Sequence, residues 1–461
     1  MSDPKSNEYK KYLSLEQVAE LLHPIPRDGS KLDADVVTRF LYSQEGLVHN
    51  RKTSITKSRD LVSATLNATL AEDFFGTELF HFAPKESTPK RYKGLSVIRA
   101  ASPYHLPAEI SDKVSIVEKL VRLPALRDLK IAVDAASTSD DAFDSCEAKT
   151  CAGSTNPTVL QQRYDYPTLE NYTAGNGMAV AEFQLQGIDD DDLENFASSC
   201  GVDHVSVDNA EGFGGSVLPG VEALLDVEYI EAVAAPIPLT VINSVSFSLF
   251  DWAEKLNNDD NPDLVQSVSY GNDEIQQTSA EYMYECNTQF MMNGVRGLSV
   301  LFASGDQGVW GRTGHSSRDP GFHPDFPAGS PYITAVGGTQ FLQTGVIGEE
   351  TTWADGGGGF SNTFATPDYQ ASAVSAYFSS GVSLPPSEDY NKTGRGYPDV
   401  SALAGQANGK HCIFVETSYP KYLIWPLIIS RLLCCSSWQF PQSWGDFSSV
   451  PCICGTHCNP E

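Results

Sequence analysis

The chain has 461 residues, of which 41% are hydrophobic and 20% charged, with 37 Gly and 27 Pro. This composition excludes general disorder and a collagen-like rod, and the length predicts two to three globular domains. The net charge of −28 argues against nucleic acid as a partner, because phosphate binding requires a basic face. Apolar runs fall short of the roughly 18 residues that a membrane span needs, so we expect no span.

Charge is divided unevenly along the chain. Residues 1–130 carry 20 Lys/Arg and 17 Asp/Glu, a net charge of +3, whereas the remaining residues carry 11 and 42, a net of −31. A mildly basic N-terminal region joined to an acidic body suggests two parts with complementary fields. An acidic body also suits work at low pH, although charge that serves only solubility is an alternative.

Residues 8–125 are predicted to form an α+β module. Helical patterns cover Leu13 to Leu22, with Ser14 as the N-cap, then Val36 to Tyr42 and Leu61 to Phe75. Small, polar and acidic residues dominate the next segment, residues 126–160, which has the composition of an exposed linker. Proteolytic cleavage occurs in such linkers, so we expect a processing site there.

After the linker, short apolar runs rich in β-formers alternate with helical segments. The predicted strands are Met178 to Phe183, Leu239 to Ile242, Leu264 to Val268, Leu298 to Phe302 and Ile333 to Val336. The predicted helices are Val221 to Val233, Phe247 to Leu256 and Ala280 to Met292, the last of which should stop at Gly294. This alternation predicts an α/β fold with a buried, doubly wound parallel sheet. Such folds place their chemistry beyond the carboxyl ends of the strands.

The run from Leu298 to Gly308 carries the strongest local signal for chemistry. A buried strand ends in Ser304-Gly305, and Asp306 then stands at the carboxyl edge of the predicted sheet. Asp306 is therefore a candidate catalytic acid. The alternative is a purely structural Asx-turn, in which the Asp side chain caps its own backbone.

Glu222 and Asp226 form the second signal, because residues four apart lie on one face of a helix. The same helix is largely apolar, so one carboxyl group could be partly buried with a raised pKa. Two ionised carboxylates at this spacing repel each other, which favours a shared proton or a further partner. The alternative is a solvated acidic face that continues through Glu228 and Glu231.

Metal and thiol chemistry have little support in the sequence. None of the nine His residues has metal-ligand spacing, and no Cys/His arrangement suggests a cysteine nucleophile. Six of the ten cysteines fall in the last fifty residues, while Cys146 and Cys151 form a close pair and Cys200 and Cys286 are isolated. The glycine run at Gly356–Gly359 lacks a following Lys-Ser/Thr, so a phosphate loop is not expected.

Six motifs occur in one order that resembles the sedolisins, the serine-carboxyl peptidases, and most closely their tripeptidyl-peptidase branch. They are Glu222-x-x-x-Asp226, Ser267-Val-Ser-Tyr-Gly271, Phe302-Ala-Ser-Gly-Asp-Gln-Gly308, Phe326-Pro-Ala-Gly-Ser-Pro-Tyr-Ile-Thr-Ala-Val-Gly-Gly338, Gly357-Gly-Gly-Phe-Ser-Asn362 and Gly394-Arg-Gly-Tyr-Pro-Asp-Val400. The resemblance implies a subtilisin-like parallel sheet with helices on both faces, preceded by an α+β pro-segment. It divides the chain into a pro-segment (1–125), a linker (126–160), an incomplete catalytic body (161–408) and an atypical Cys-rich tail (409–461).

The resemblance also implies roles for individual residues. Glu222 matches the general base of a Ser-Glu-Asp triad, Asp226 the carboxylate that orients it, and Asp306 the acid of the oxyanion hole. Substrate contacts are implied for Ser267, Tyr270, Gly271, Ser304 and Gly305. The implied partners are peptides or proteins with free N-termini and the chain's own pro-segment.

The segment that should carry the family's nucleophile is missing. The family places it in Ser-Gly-Thr-Ser-x-Ser after the Tyr-Pro-Asp-Val motif, yet no Gly-Thr-Ser occurs after Asp399, and Asp446 is the only later Asp. We therefore expect no nucleophile, no calcium loop and no cofactor in this chain. Three accounts remain open: an error in the coding sequence, a truncated pseudopeptidase that binds peptides or a related peptidase, and a relocated nucleophile.

Evidence on localisation conflicts within the sequence. Candidate glycosylation sites at Asn67, Asn171 and Asn391 are compatible with secretion, and the resemblance implies a secreted or lysosomal/vacuolar protein. The N-terminus shows no apolar stretch of the kind that forms a signal peptide. The expectation of secretion therefore comes from the resemblance.

Overall fold

A computed structural model of the chain describes residues 5–24, 31–44, 53–85, 96–123, 154–184, 186–202, 205–212, 219–244, 247–315, 321–343, 347–404, 410–411 and 438–439. Most of the predicted tail, residues 409–461, and most of the linker therefore lie outside the described residues. The helices are α1 (Leu15–Leu22), α2 (Asp33–Tyr42), α3 (Ala68–Phe75), α4 (Pro157–Tyr164), α5 (Asp190–Cys200), α6 (Val221–Ala234), α7 (Leu249–Asn258), α8 (Ala280–Val295) and α9 (Ala371–Ser379).

The strands of the N-terminal region and the first half of the body are β1 (Ser54–Ile55), β2 (Val62–Ser63), β3 (Leu79–Pro84), β4 (Val97–Ala100), β5 (Ser154–Thr155), β6 (Met178–Phe183), β7 (Asn209–Glu211), β8 (Leu239–Ser244), β9 (Val265–Val268) and β10 (Asn272–Asp273). They are followed by β11 (Ser299–Ala303), β12 (Asp325–Phe326), β13 (Thr334–Phe341), β14 (Glu350–Thr352), β15 (Gly359–Ala365), β16 (Gly394–Tyr397), β17 (Val400–Leu403), β18 (Lys410–His411) and β19 (Trp438–Gln439).

An eight-stranded sheet organises the body. Its order is β14-β13-β11-β9-β6-β8-β7, with β17 also paired to β13, and only the β13–β14 pairing is antiparallel. The five predicted strands are confirmed as β6, β8, β9, β11 and β13. The predicted parallel α/β fold is therefore confirmed.

Helices cover both faces of this sheet, as the continuous apolar strands predict. Along β6, Ala179, Ala181 and Phe183 join the core that contains α7 and α8. The alternate residues Met178 and Val180 join a separate core that contains α5 and α6. Because successive strand residues point to opposite faces, the two cores lie on opposite sides of the sheet.

The N-terminal region packs against the side of the body formed by α7 and α8. The Leu13 amide donates to the Val295 carbonyl oxygen at 2.9 Å, and Lys57 and Lys119 form ion pairs with Asp260 (2.7 Å) and Asp251 (3.1 Å). These contacts follow the expected pattern, because the cations belong to the basic region and the carboxylates to the acidic body.

Three element boundaries differ from the sequence predictions. The segment Leu61 to Phe75 is a short strand followed by α3, which begins only after Asn67 caps it. Helix α8 continues through Gly294 to Val295, because Gly297, with a φ of +97°, makes the turn instead. Residues 154–160 were assigned to the linker, but they form β5 and the start of α4, whose Val159 is buried against Phe341 and Leu403.

Candidate active site

Helix α6 carries both carboxylates of the predicted pair, Glu222 and Asp226, one turn apart. The helix begins after Gly220, so Glu222 lies in its first turn, and only 8% of Glu222 is exposed. Parts of Asp226 reach the surface, but its carboxyl oxygen Oδ2 is buried. The alternative of a fully solvated acidic face is therefore wrong for these two residues, and Glu228 and Glu231 are buried as well.

A third carboxyl group, Glu182 on β6, completes a cluster that the sequence analysis missed. Glu182 is fully buried, and its carboxyl group shares a hydrogen bond with that of Asp226. The Tyr270 hydroxyl donates to Glu182 Oε2 at 3.2 Å, and the Ser269 hydroxyl donates to Asp226 Oδ1 at 2.9 Å. The sequence offered one indication of Glu182, because a glutamate inside the apolar run Met178 to Phe183 would be buried and a buried charge needs a partner.

The cluster can retain a proton well above the usual range for carboxyl groups. Burial raises the pKa of Glu182 well above its ordinary value, and the neighbouring Asp226 and Glu222 raise it further. Burial raises the pKa of Asp226 to about 6, although hydrogen bonds from Ser269 and Glu182 oppose this shift. Two carboxyl groups can hydrogen-bond only while at least one is protonated, so Glu182 keeps the proton when Asp226 ionises near pH 6.

Asp306 lies at the same edge of the sheet as this cluster. It follows β11, Ser269 follows β9, and these strands are parallel neighbours whose carboxyl ends meet at one edge. Asp306 is exposed, and no backbone amide of the described residues donates to its side chain, so the Asx-turn alternative is not observed. The three predicted catalytic residues therefore occupy one edge of the sheet.

A glycine run packs directly against the turn before Asp306. The Ser304 hydroxyl donates to the Gly357 carbonyl oxygen at 2.8 Å, and the Gly357 amide donates to the Gly305 carbonyl oxygen at 2.6 Å. A Cβ atom at Gly357 would overlap the Ser304 carbonyl oxygen, so this approach requires glycine. The run from Gly356 to Gly359 thus supports the loop that carries Asp306.

The five residues predicted to contact substrate are placed differently from one another. Tyr270, Gly271 and Ser304 are buried, and the hydroxyl groups of Tyr270 and Ser304 are used within the protein. Substrate contact through these three residues stays a prediction. Ser267 and Gly305 are half-buried, and substrate contact through them stays a prediction.

Other predicted sites have simple structural settings. Asn67 and Asn171 are exposed, whereas Asn391 is half-buried and its side-chain amide donates to the Ser361 carbonyl oxygen at 2.9 Å. Cys200 is disulfide-bonded, and Cys286 is a buried free thiol whose pKa burial raises to about 12.

No group of three or more metal-ligating side chains occurs among the described residues. The absence of a cofactor remains a prediction, because the tail in which the resemblance places calcium lies outside them. Within the described ranges, no helix has the length and apolar character needed to cross a membrane.

Comparison with known proteins identifies the family. Residues 1–123 match the family model of the pro-kumamolisin activation domain. Tripeptidyl-peptidase 1 from Pan troglodytes is 35% identical over 419 residues, which span 88% of this chain and 69% of the relative. The chain belongs to the sedolisin family of serine-carboxyl peptidases, on the tripeptidyl-peptidase branch.

Two further similarities accompany this match. Tripeptidyl-peptidase 1 from Canis lupus familiaris is 36% identical to the sedolisin-family chain over 420 residues. A solved structure of a Pseudomonas sedolisin, complexed with two molecules of pseudo-iodotyrostatin, matches with a TM-score of 0.43 and 22% identity. It covers 55% of this chain and 72% of the Pseudomonas chain. The predicted pro-segment, residues 1–125, corresponds to the part of the chain that matches the activation-domain model, residues 1–123.

Proposed function

We propose that this body is built for acid peptide hydrolysis, with Glu222 as general base, Asp226 as the carboxylate that orients it and Asp306 as oxyanion-hole acid. The observation that carries the proposal is the arrangement around Asp226. Its carboxyl group accepts from the Ser269 hydroxyl and shares a hydrogen bond with the carboxyl group of Glu182, one helical turn from Glu222. A buried acceptor held from two sides is suited to orient a neighbouring base.

This chemistry accounts for an acidic working range. The base must be ionised to take a proton, while the oxyanion acid must be neutral to donate a hydrogen bond to the developing negative charge. Carboxyl groups meet both conditions only near their own pKa values, roughly pH 3–6. A histidine base would instead favour neutral pH.

We further propose release of tripeptides from free N-termini as the specificity for which the body is built. Support comes from the relatives that are named tripeptidyl-peptidase 1 and that match 88% of the chain. We also propose a secreted or lysosomal/vacuolar location, which would provide the acidic environment.

The chain as given is proposed not to hydrolyse peptides itself. None of its 461 residues forms a Gly-Thr-Ser motif, and acyl transfer requires a nucleophile within hydrogen-bond reach of Glu222. Loss of the nucleophile in a comparable triad lowers kcat by roughly 10⁶-fold. The second candidate function is therefore non-catalytic, namely binding of peptides or of a related peptidase.

An assay of two proteins tests the proposal. One is the 461-residue chain, and the other is a chimera in which the C-terminal part of Homo sapiens tripeptidyl-peptidase 1 follows Ala404. With a fluorogenic tripeptidyl amide at about pH 4, we expect turnover only by the chimera. Glu222→Gln should abolish that turnover, whereas the control Glu231→Gln, farther along the same helix, should retain it.

The outcomes separate the alternatives. Turnover by the 461-residue chain would show that another residue serves as nucleophile and would refute the proposed inactivity. Saturable binding of the tripeptidyl amide without turnover would support the non-catalytic function. A folded chimera without activity, or one indifferent to Glu222→Gln, would refute the assigned base.

A further inference from the structure

Gln186 lies beside Glu222 at the start of α6, and the sequence analysis did not single it out. Its side chain is 3% exposed, and its Oε1 accepts from the Glu222 amide at 3.3 Å. The N-cap residue Gly220 offers no side chain to the orphan amides of the first turn. The acceptor therefore comes from a residue 36 positions earlier in the chain.

The loop that carries Gln186 is joined to the start of α6 at two further points. The Gly220 amide donates to the Gly187 carbonyl oxygen at 2.9 Å, and Gly187 forms a parallel β-bridge with Pro219. A Cβ atom on Gly220 would overlap Gln186 Oε1, so the close approach of this side chain requires glycine. The position of Gln186 is thus tightly specified by its surroundings.

The turn after β6 brings two side chains to the same helix. Gln184 is buried with a φ of +62°, an uncommon conformation for a residue other than glycine, and the Gln186 amide bonds weakly to the Phe183 carbonyl oxygen at 3.4 Å. Glu182, before this turn, contacts Asp226, and Gln186, after it, contacts Glu222. One short segment therefore contacts the carboxyl group of Asp226 and the backbone amide of Glu222.

We propose that Gln186 is a positioning residue for Glu222, which it fixes at the start of α6 by accepting from the Glu222 amide. An acidic side chain in the first turn of a helix otherwise folds back to satisfy the free amides there. Gln186 supplies the acceptor for the Glu222 amide, so this amide does not compete for the Glu222 carboxyl group. This inference rests on the proposed role of Glu222 as base.

Titration of Glu222 in the 461-residue chain tests the inference without any need for turnover. The Glu222 carboxyl signal is identified in ¹³C NMR spectra of glutamate-labelled protein as the signal that disappears in Glu222→Gln. Gln186→Met removes the acceptor but keeps the side-chain length. We expect it to lower the pKa of Glu222 by about half a unit, since the freed Glu222 amide can then stabilise the carboxylate.

Two comparisons distinguish positioning from a general loss of structure. Gln266→Met removes a glutamine of similar burial, 1% exposed, from β9 and should leave the Glu222 titration unchanged. Gly220→Ala should produce the same downward shift as Gln186→Met, because its Cβ displaces Gln186. The double variant should show no further shift, as expected for two changes that break one contact.

A Glu222 titration that is identical in wild type and in folded Gln186→Met would overturn the inference. Equal shifts in Gln186→Met and Gln266→Met would also overturn it, since the effect would then not be specific to this contact. The result is independent of the chimera assay: a shifted titration together with an inactive chimera would refute the proposed function while leaving the Gln186 contact established.

Discussion

Replacing Asp226 by asparagine tests whether ionisation of the Asp226 carboxyl group within the cluster lowers the free energy of unfolding. The folded state raises the pKa of Asp226 from an ordinary 3.8 to about 6, so folding favours the protonated form. Below pH 3.8 both states hold the proton and no cost arises. Above about pH 6 the folded state must carry a buried charge, so the cost is complete.

The expected size follows from this shift. A change from 3.8 to about 6 corresponds to about 3 kcal/mol when fully developed, of which about 2 kcal/mol should appear between pH 4 and pH 7.5. An asparagine side chain at this position would still accept from Ser269, and its amide could donate to Glu182, so the hydrogen bonds around the site are retained. Asp226→Asn should therefore become more stable relative to wild type as the pH rises.

Urea unfolding followed by tryptophan fluorescence measures the effect at both pH values, because the midpoint reports stability when the slope is unchanged. Asp191→Asn, an exposed change on α5, is the control that reports the effect of removing a surface carboxylate. If Asp226→Asn gave equal differences at pH 4 and pH 7.5, Asp226 would titrate alike in the folded and unfolded states. The assignment of a shared proton in the cluster would then be wrong.

Two further substitutions and one cleavage experiment test separate parts of the structure. Ser269→Ala should raise the pKa of Asp226 above about 6, because it removes a donor to the carboxylate. In the same pH series the loss of stability should be larger and should continue to higher pH. Gly357→Ala should destabilise the protein by about 1–3 kcal/mol, measured by urea unfolding, because its Cβ overlaps the Ser304 carbonyl oxygen. Cleavage during incubation in acid, with a protease added in trans if needed, should fall within residues 126–153, as N-terminal sequencing would reveal, since the residues that follow are folded. Cleavage inside α4 would contradict this assignment.

The sequence predicts the main architecture because the signals that define it are local. Continuous apolar strands separated by helical patterns require a sheet that is buried on both faces. The two hydrophobic cores on either side of β6 confirm this burial. Ser14 and Gln17 form the capping box at the start of α1, another feature set by neighbouring residues. Spacing of four residues likewise places Glu222 and Asp226 on one face of α6.

The tertiary structure alone decides which groups surround that pair. Glu182, Gln186 and Ser269 lie 36 to 44 positions from the residues of the pair that they contact, and no periodic pattern relates residues so far apart. Parallel pairing of β6 with β9 brings the ends of these strands beside α6. The sequence by itself placed Asp306 at the carboxyl edge of a parallel sheet and Glu222 and Asp226 on one face of a helix. Only the fold decided which carboxyl group is buried and retains a proton, because burial and donor geometry depend on packing between distant segments.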